Sequence, residues 1–128
     1  MANILVIEDD TPVLKLICQI LESDGYSVLS AKDGEEGIAL FHENSIDLII
    51  TDMLMPNKDG VEVILEIKEL LADVGILAIS GGGRGMDARL SLQIAKEFGA
   101  VETLAKPFSR QELLDAVSVL LEPDVQGL

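Results

Sequence analysis

Ile4-Leu5-Val6-Ile7-Glu8-Asp9-Asp10 joins four consecutive aliphatic residues to three acids. An apolar run without alternation belongs to a strand covered on both faces, and that placement is the habit of parallel sheets flanked by helices. The chain repeats this signal. Leu48-Ile49-Ile50 and Ile76-Leu77-Ala78-Ile79 are also nearly all apolar, and Tyr26-Ser27-Val28-Leu29 and Val101-Glu102-Thr103-Leu104 are further strand-like runs.

Between the runs, apolar residues recur at helical spacing. Val13, Ile17, Ile20 and Leu21 mark a first helix, Val61, Ile64, Leu65 and Ile67 a third, and Leu113, Leu114, Val117, Leu120 and Leu121 the last. Thr11-Pro12 predicts an N-cap followed by a first-turn proline. Asp33 with Glu36, Asp59 with Glu62, and Ser109 with Glu112 are cap-like pairs three residues apart. Gly25, Gly75 and Gly99 fall near expected helix ends, where a left-handed residue is commonly needed. The pattern is five βα units with no repeat, low-complexity segment or internal linker. It predicts an α/β fold, an open doubly wound five-stranded parallel sheet, because a closed barrel of this kind needs eight strands. Residues 1–121 are expected to form one domain. The tail EPDVQGL, residues 122–128, is too short for another, so no effector is expected on this chain.

Composition supports one aliphatic domain: 128 residues, 48% apolar but only 3% aromatic. The chain has no apolar run of about 18 residues, and no basic segment precedes its first apolar run, so neither membrane insertion nor a signal peptide is expected. Cys18, the single cysteine, lies in an apolar helical stretch and is expected to be buried and structural. These features point to a cytoplasmic protein. The 23 acids outnumber nine Lys and Arg, giving a net charge of −14, which argues against direct nucleic-acid binding.

Ligands of open α/β sheets bind beyond the carboxyl ends of the strands. Strand one ends in Glu8-Asp9-Asp10, strand three in Thr51-Asp52, strand four in Ser80, and strand five runs into Lys106-Pro107. In the common order 2-1-3-4-5, strands one and three are neighbours and their carboxylates converge, which is costly unless a cation lies between them. An all-carboxylate set without His or a second Cys suits Mg²⁺ rather than zinc. Lys106 adds a positive charge and Ser80 a hydroxyl donor. Together these groups describe a phosphoryl site, with Asp52 as the candidate nucleophile. Taken singly, each has a plainer reading; Asp10, for example, suits a helix cap.

ILVIEDD, IDLIITDMLMPNKDG, ILAIS and LAKPF, in this order, resemble the four signature segments of the receiver domain of bacterial response regulators, from about Asn3 to Leu121. The resemblance implies a flavodoxin-like (βα)5 fold with order 2-1-3-4-5. It also implies a stand-alone, Mg²⁺-dependent phosphoacceptor switch that assists its own phosphorylation and dephosphorylation, rather than an enzyme. Asp52 would take phosphate from a phosphohistidine of a sensor kinase or histidine phosphotransfer protein. Asp9 and Asp52 would bind Mg²⁺ directly, Glu8 through water, and the Leu54 carbonyl would complete the protein ligands. Lys106 would pair with carboxylate or phosphoryl oxygens, with a cis bond to Pro107 aiming it at the pocket. Ser80 would hydrogen-bond the phosphoryl group and draw its loop inward. The phosphorylated form would then bind a downstream target through the fourth helix, fifth strand and fifth helix, or pass phosphate along a relay.

Two positions depart from the pattern. Thr103 stands three residues before the lysine, where many receivers carry Tyr or Phe, and Leu54 offers no polar side chain two residues past Asp52. His42, in the second helix pattern, reads as a surface residue, and Met53 and Met55 as packing. A haloacid-dehalogenase-like phosphohydrolase would need a second acid two residues after the nucleophile, and Leu54 stands there. The glycines of Ser80-Gly81-Gly82-Gly83-Arg84-Gly85 match a dinucleotide fingerprint, but they follow strand four where that motif follows strand one. They read as a loop free to rearrange behind Ser80.

Overall fold

A computed structural model describes residues 2–53, 60–70, 74–80, 93 and 102–121. Its elements are β1 (Asn3–Ile7), α1 (Thr11–Ser23), β2 (Ser27–Ala31), α2 (Gly34–Glu43), β3 (Leu48–Asp52), α3 (Gly60–Leu70), β4 (Gly75–Ser80), β5 (Glu102–Ala105) and a C-terminal helix (Arg110–Leu121). All four strand pairings are parallel, and the order is β2-β1-β3-β4-β5. The fourth helix pattern, Asp59, Gly99, the Gly81–Gly85 stretch and residues 122–128 lie outside the described residues.

The two-residue period of the strands sorts the aliphatic residues into two layers. Leu5, Ile7, Ile49, Ile76 and Ala78 pack with Ile38 and Phe41 of α2 and Ile64 and Ile67 of α3. Ile4, Val6, Leu48, Ile50, Leu77 and Ile79 pack with Leu14, Ile17 and Leu21 of α1 and Leu113 and Val117 of the C-terminal helix. This is the doubly wound arrangement expected. β1, β3 and β4 are buried on both faces, so a run of Ile, Leu and Val without alternation is the only pattern that fills both layers.

The helix ends follow local chemistry. Asp33 caps α2 by accepting from the Glu36 amide at 2.9 Å, and the Glu36 carboxylate in turn accepts from the Lys32 amide at 2.7 Å. Ser109 and Glu112 form the reciprocal capping box, at 3.0 and 2.9 Å. Gly25, with φ of +94°, ends the α1 segment in the conformation that favours glycine.

Several boundaries differ from expectation. The cap of α1 is Asp10, which accepts from the Val13 amide at 3.4 Å; Thr11 and Pro12 both lie within the first turn. Two adjacent residues could each cap; the extended backbone lies at Asp10, and Thr11 is already helical. Gly75 opens β4 instead of closing a helix, close against Leu48 of β3. β2 runs Ser27–Ala31, one residue later than the apolar run, because Tyr26 donates its amide back to Leu21. Leu65 is 42% exposed while Val63 is fully buried. The Val61 side chain lies outside the described residues. Cys18 is only half-buried; that burial pushes its thiol above its ordinary value, with Glu22 adding to the shift.

Candidate functional site

β1 and β3 are central neighbours whose following helices lie on opposite faces of the sheet, so the chain parts beyond their carboxyl ends. Such a switch point opens a crevice. Glu8 lies on its floor, held by its backbone amide, which donates to Ala31 O of β2 at 3.0 Å. Its side chain is almost wholly buried, and its Oε2 accepts from the Asp10 amide at 3.2 Å. Asp9 is half-buried beside it, and Asp52, also buried, ends β3. One carboxylate oxygen from each of Glu8, Asp9 and Asp52 lies within 4.8 Å of the others. Asp10 points elsewhere, to its helix cap, so its plainer reading is the one the geometry supports.

Lys106 enters from the far side. Its backbone amide donates to Ser80 O at 2.8 Å, which extends the β4–β5 pairing by one bond. Its Nζ lies 2.7 Å from Glu8 Oε1 and 3.7 Å from Asp52 Oδ2. At 2.7 Å the contact with Glu8 is a close ion pair. The Lys106–Pro107 bond is cis. Ser80, fully buried, ends β4 next to this segment. Leu54 lies outside the described residues.

The charges are strongly coupled. Burial pushes the Glu8 carboxyl up to about 7; the Lys106 ammonium opposes this and the Asp52 carboxylate adds to it. Burial alone would lower Lys106, but its contact with Glu8 and the charges of Asp52, Glu8 and Asp10 outweigh it and hold the ammonium above its ordinary value. Three crowded carboxylates with one ammonium leave surplus negative charge in a desolvated crevice. That surplus, on oxygen donors alone, fits a hard divalent cation.

Thr103 is half-buried in β5, in register with Ala78. His42 is exposed at the end of α2, edge-on to Phe41, and takes no part in the crevice. Two features escaped sequence reasoning. An apolar recess of about 320 Å³ borders the site, lined by Val13, Leu16, Lys106, Pro107 and Phe108. Leu16 is 50% exposed there, a leucine on the polar side of the helical pattern, which was the available signal. The other is Thr51, fully buried in an otherwise aliphatic strand run just before Asp52.

Comparison with known proteins agrees with this geometry. A family model described as "Response regulator receiver domain" matches residues 4–118. The chain is 32% identical over 121 residues to the transcriptional regulatory protein CpxR of Klebsiella pneumoniae, covering 94% of this chain and 50% of that protein. It is 33% identical over 122 residues to the transcriptional regulatory protein YcbL of Bacillus subtilis, covering 95% and 52%. The chain thus spans about half the length of the curated relatives it matches. Among solved structures, it superposes on a response regulator receiver domain protein from Clostridium thermocellum with a TM-score of 0.86, 36% identity and 94% coverage of both chains. It superposes on the chemotaxis protein CheY4 of Vibrio cholerae with a TM-score of 0.85, 28% identity and coverage of 94% and 99%. No described helix is long and apolar enough to cross a membrane.

Proposed function

The chain belongs to the response regulator receiver family, and on that premise we propose that Asp52 is its phosphoacceptor. Receiver domains are phosphoacceptor switches rather than conventional enzymes. The observation that carries the reading is the convergence of Glu8, Asp9 and Asp52 within 4.8 Å beneath the Lys106 ammonium.

An Asp52 carboxylate oxygen attacks phosphorus of a phosphohistidine on a partner. The new P–O bond forms as the P–N bond breaks, and the imidazole leaves with the electron pair and takes up a proton. Asp9, Asp52 and Glu8 would hold Mg²⁺, and the Leu54 carbonyl would add a further ligand. When bound, the cation neutralises charge on the phosphoryl oxygens. Lys106 neutralises charge from the opposite side. Ser80 donates its hydroxyl to a phosphoryl oxygen. Because Lys106 is bonded to the Ser80 carbonyl, inward movement of Ser80 carries the Lys106 segment with it.

Residues 1–121 form the receiver unit. Its partners are a sensor histidine kinase or a histidine phosphotransfer protein, together with a target protein that discriminates the two states; no nucleic acid is bound directly. The donor protein rests on the recess of Val13, Leu16 and Phe108, an apolar surface that Lys106 also lines. The working compartment is the cytoplasm. The output surface is that of the fourth helix pattern, β5 and the C-terminal helix, with the Ser80 loop as its lever.

The test is intact mass after incubation with acetyl phosphate and Mg²⁺. The wild type gains one phosphoryl group, and Asp52→Asn gains none. A wild type that stays unmodified with both acetyl phosphate and a competent kinase overturns the reading.

A further inference from the structure

Thr51 is a polar residue with no exposed surface at the end of β3. Its hydroxyl donates to the backbone carbonyl of Asp52 at 3.1 Å. That carbonyl and the Met53 amide belong to one peptide plane, and the Met53 amide donates to Ile79 O of β4 at 2.9 Å. The plane following Asp52 is therefore held at both ends. It is also closed from one side. A Cβ on Gly60 would stand 2.6 Å from Asp52 O and 2.7 Å from Met53 Cα, and the Gly60 amide donates to Met53 O at 3.3 Å. The first residue of α3 thus lies directly against the backbone of the acceptor.

From this arrangement we infer that Thr51 is a positioning residue for Asp52: its hydroxyl, with Gly60 packed against the same peptide, sets the plane from which the acceptor carboxylate is aimed. The inference rests on the reading of Asp52 as phosphoacceptor. A peptide plane free to rotate swings the Cα–Cβ bond of Asp52, and displacement of a reacting atom by about 1 Å is worth on the order of a hundredfold in rate. Valine has the shape of threonine and suits a buried strand, so Thr51→Val removes the donor while keeping the packing.

The experiment compares phosphoryl uptake from acetyl phosphate with Mg²⁺ in the wild type, Thr51→Val and Thr51→Ser, alongside urea midpoints. Thr51→Val is expected to accept phosphate about tenfold more slowly with its midpoint retained, and Thr51→Ser to recover to within about twofold. Amide exchange at Met53 follows the plane without any phosphoryl chemistry, and is expected to accelerate in Thr51→Val and return in Thr51→Ser. Wild-type uptake by Thr51→Val, or equally slow uptake by Thr51→Ser, overturns the inference. Should the wild type itself take no phosphate, the reading of Asp52 fails, and unchanged Met53 exchange in Thr51→Val then removes the clamp as well.

Discussion

Lys106 Nζ lies 2.7 Å from Glu8 Oε1, a full ångström nearer than its approach to Asp52 Oδ2 at 3.7 Å. The ammonium is thus engaged chiefly by the deeper carboxylate, and the proposed acceptor is left the less tightly neutralised of the two. Removing the cation strands Glu8 in a desolvated position. Lys106→Met is expected to lose about 1–3 kcal/mol of stability at pH 8, the typical cost of an uncompensated buried polar group. The loss should shrink at pH 5, where folded Glu8 already carries a proton. Urea midpoints at the two pH values measure this, and equal losses would separate Lys106 from the charge of Glu8.

Glu8 also makes the wild type sensitive to pH. Its folded value of about 7 lies above the ordinary 4.5. Between these values the folded state holds a proton that the unfolded chain has released, so stability is full below about 4.5 and falls as pH rises through 7. Lys106 is shifted upward as well, but it titrates above its ordinary 10.5, outside this window. Denaturation in EDTA from pH 5 to 7.5 should show the decline, and Glu8→Gln should flatten it. Added Mg²⁺ at pH 7.5 should restore midpoint in the wild type. A wild-type profile parallel to that of Glu8→Gln would remove Glu8 as the cause.

The recess beside the crevice separates recognition from chemistry. Leu16 is half-exposed and remote from the carboxylates in role, so Leu16→Glu should leave uptake from acetyl phosphate within about twofold of wild type. Transfer from a phosphorylated kinase or phosphotransfer protein should fall by about tenfold, the loss expected when one apolar anchor of an interface becomes charged. Paired rates with the two donors decide this, and an equal fall in both would place the damage inside the pocket.

The capping box of the C-terminal helix follows immediately on the Lys106 segment. Ser109→Ala removes the acceptor for the Glu112 amide and should cost about 1 kcal/mol. Thermal unfolding reads the loss. If the cost exceeds that of an ordinary cap, the box also braces Lys106-Pro107, and the Lys106 resonances should then move.

The two-layered core was legible because strands buried on both faces leave a continuous aliphatic run, and Ile4–Ile7, Leu48–Ile50 and Ile76–Ile79 have it, whereas the order of the strands came from the family resemblance. Glu8, Asp9, Asp52 and Lys106 were legible because strand ends in such a sheet converge. Details set by geometry finer than periodicity were not. In α3, Val63 and Leu65 border the face of Glu62, Glu66 and Glu69 on opposite sides, so spacing could not choose Val63 over Leu65 for the core. Asp10 and Thr11 are both competent caps, and only the backbone path distinguishes them. Thr51 looked like one more strand residue, since threonine suits strands whether or not its hydroxyl has work to do.

The order β2-β1-β3-β4-β5 has a consequence for how the molecule acquires its chemistry. Residues 8, 52 and 106 meet only when the central strand pair has closed and the last edge strand has joined it. No local hairpin or single helix can assemble any useful fraction of that constellation. Cation binding should therefore appear late in refolding, after most helical signal, and vanish together with the global transition on unfolding. Loading with Mg²⁺ makes a direct reporter of completed topology.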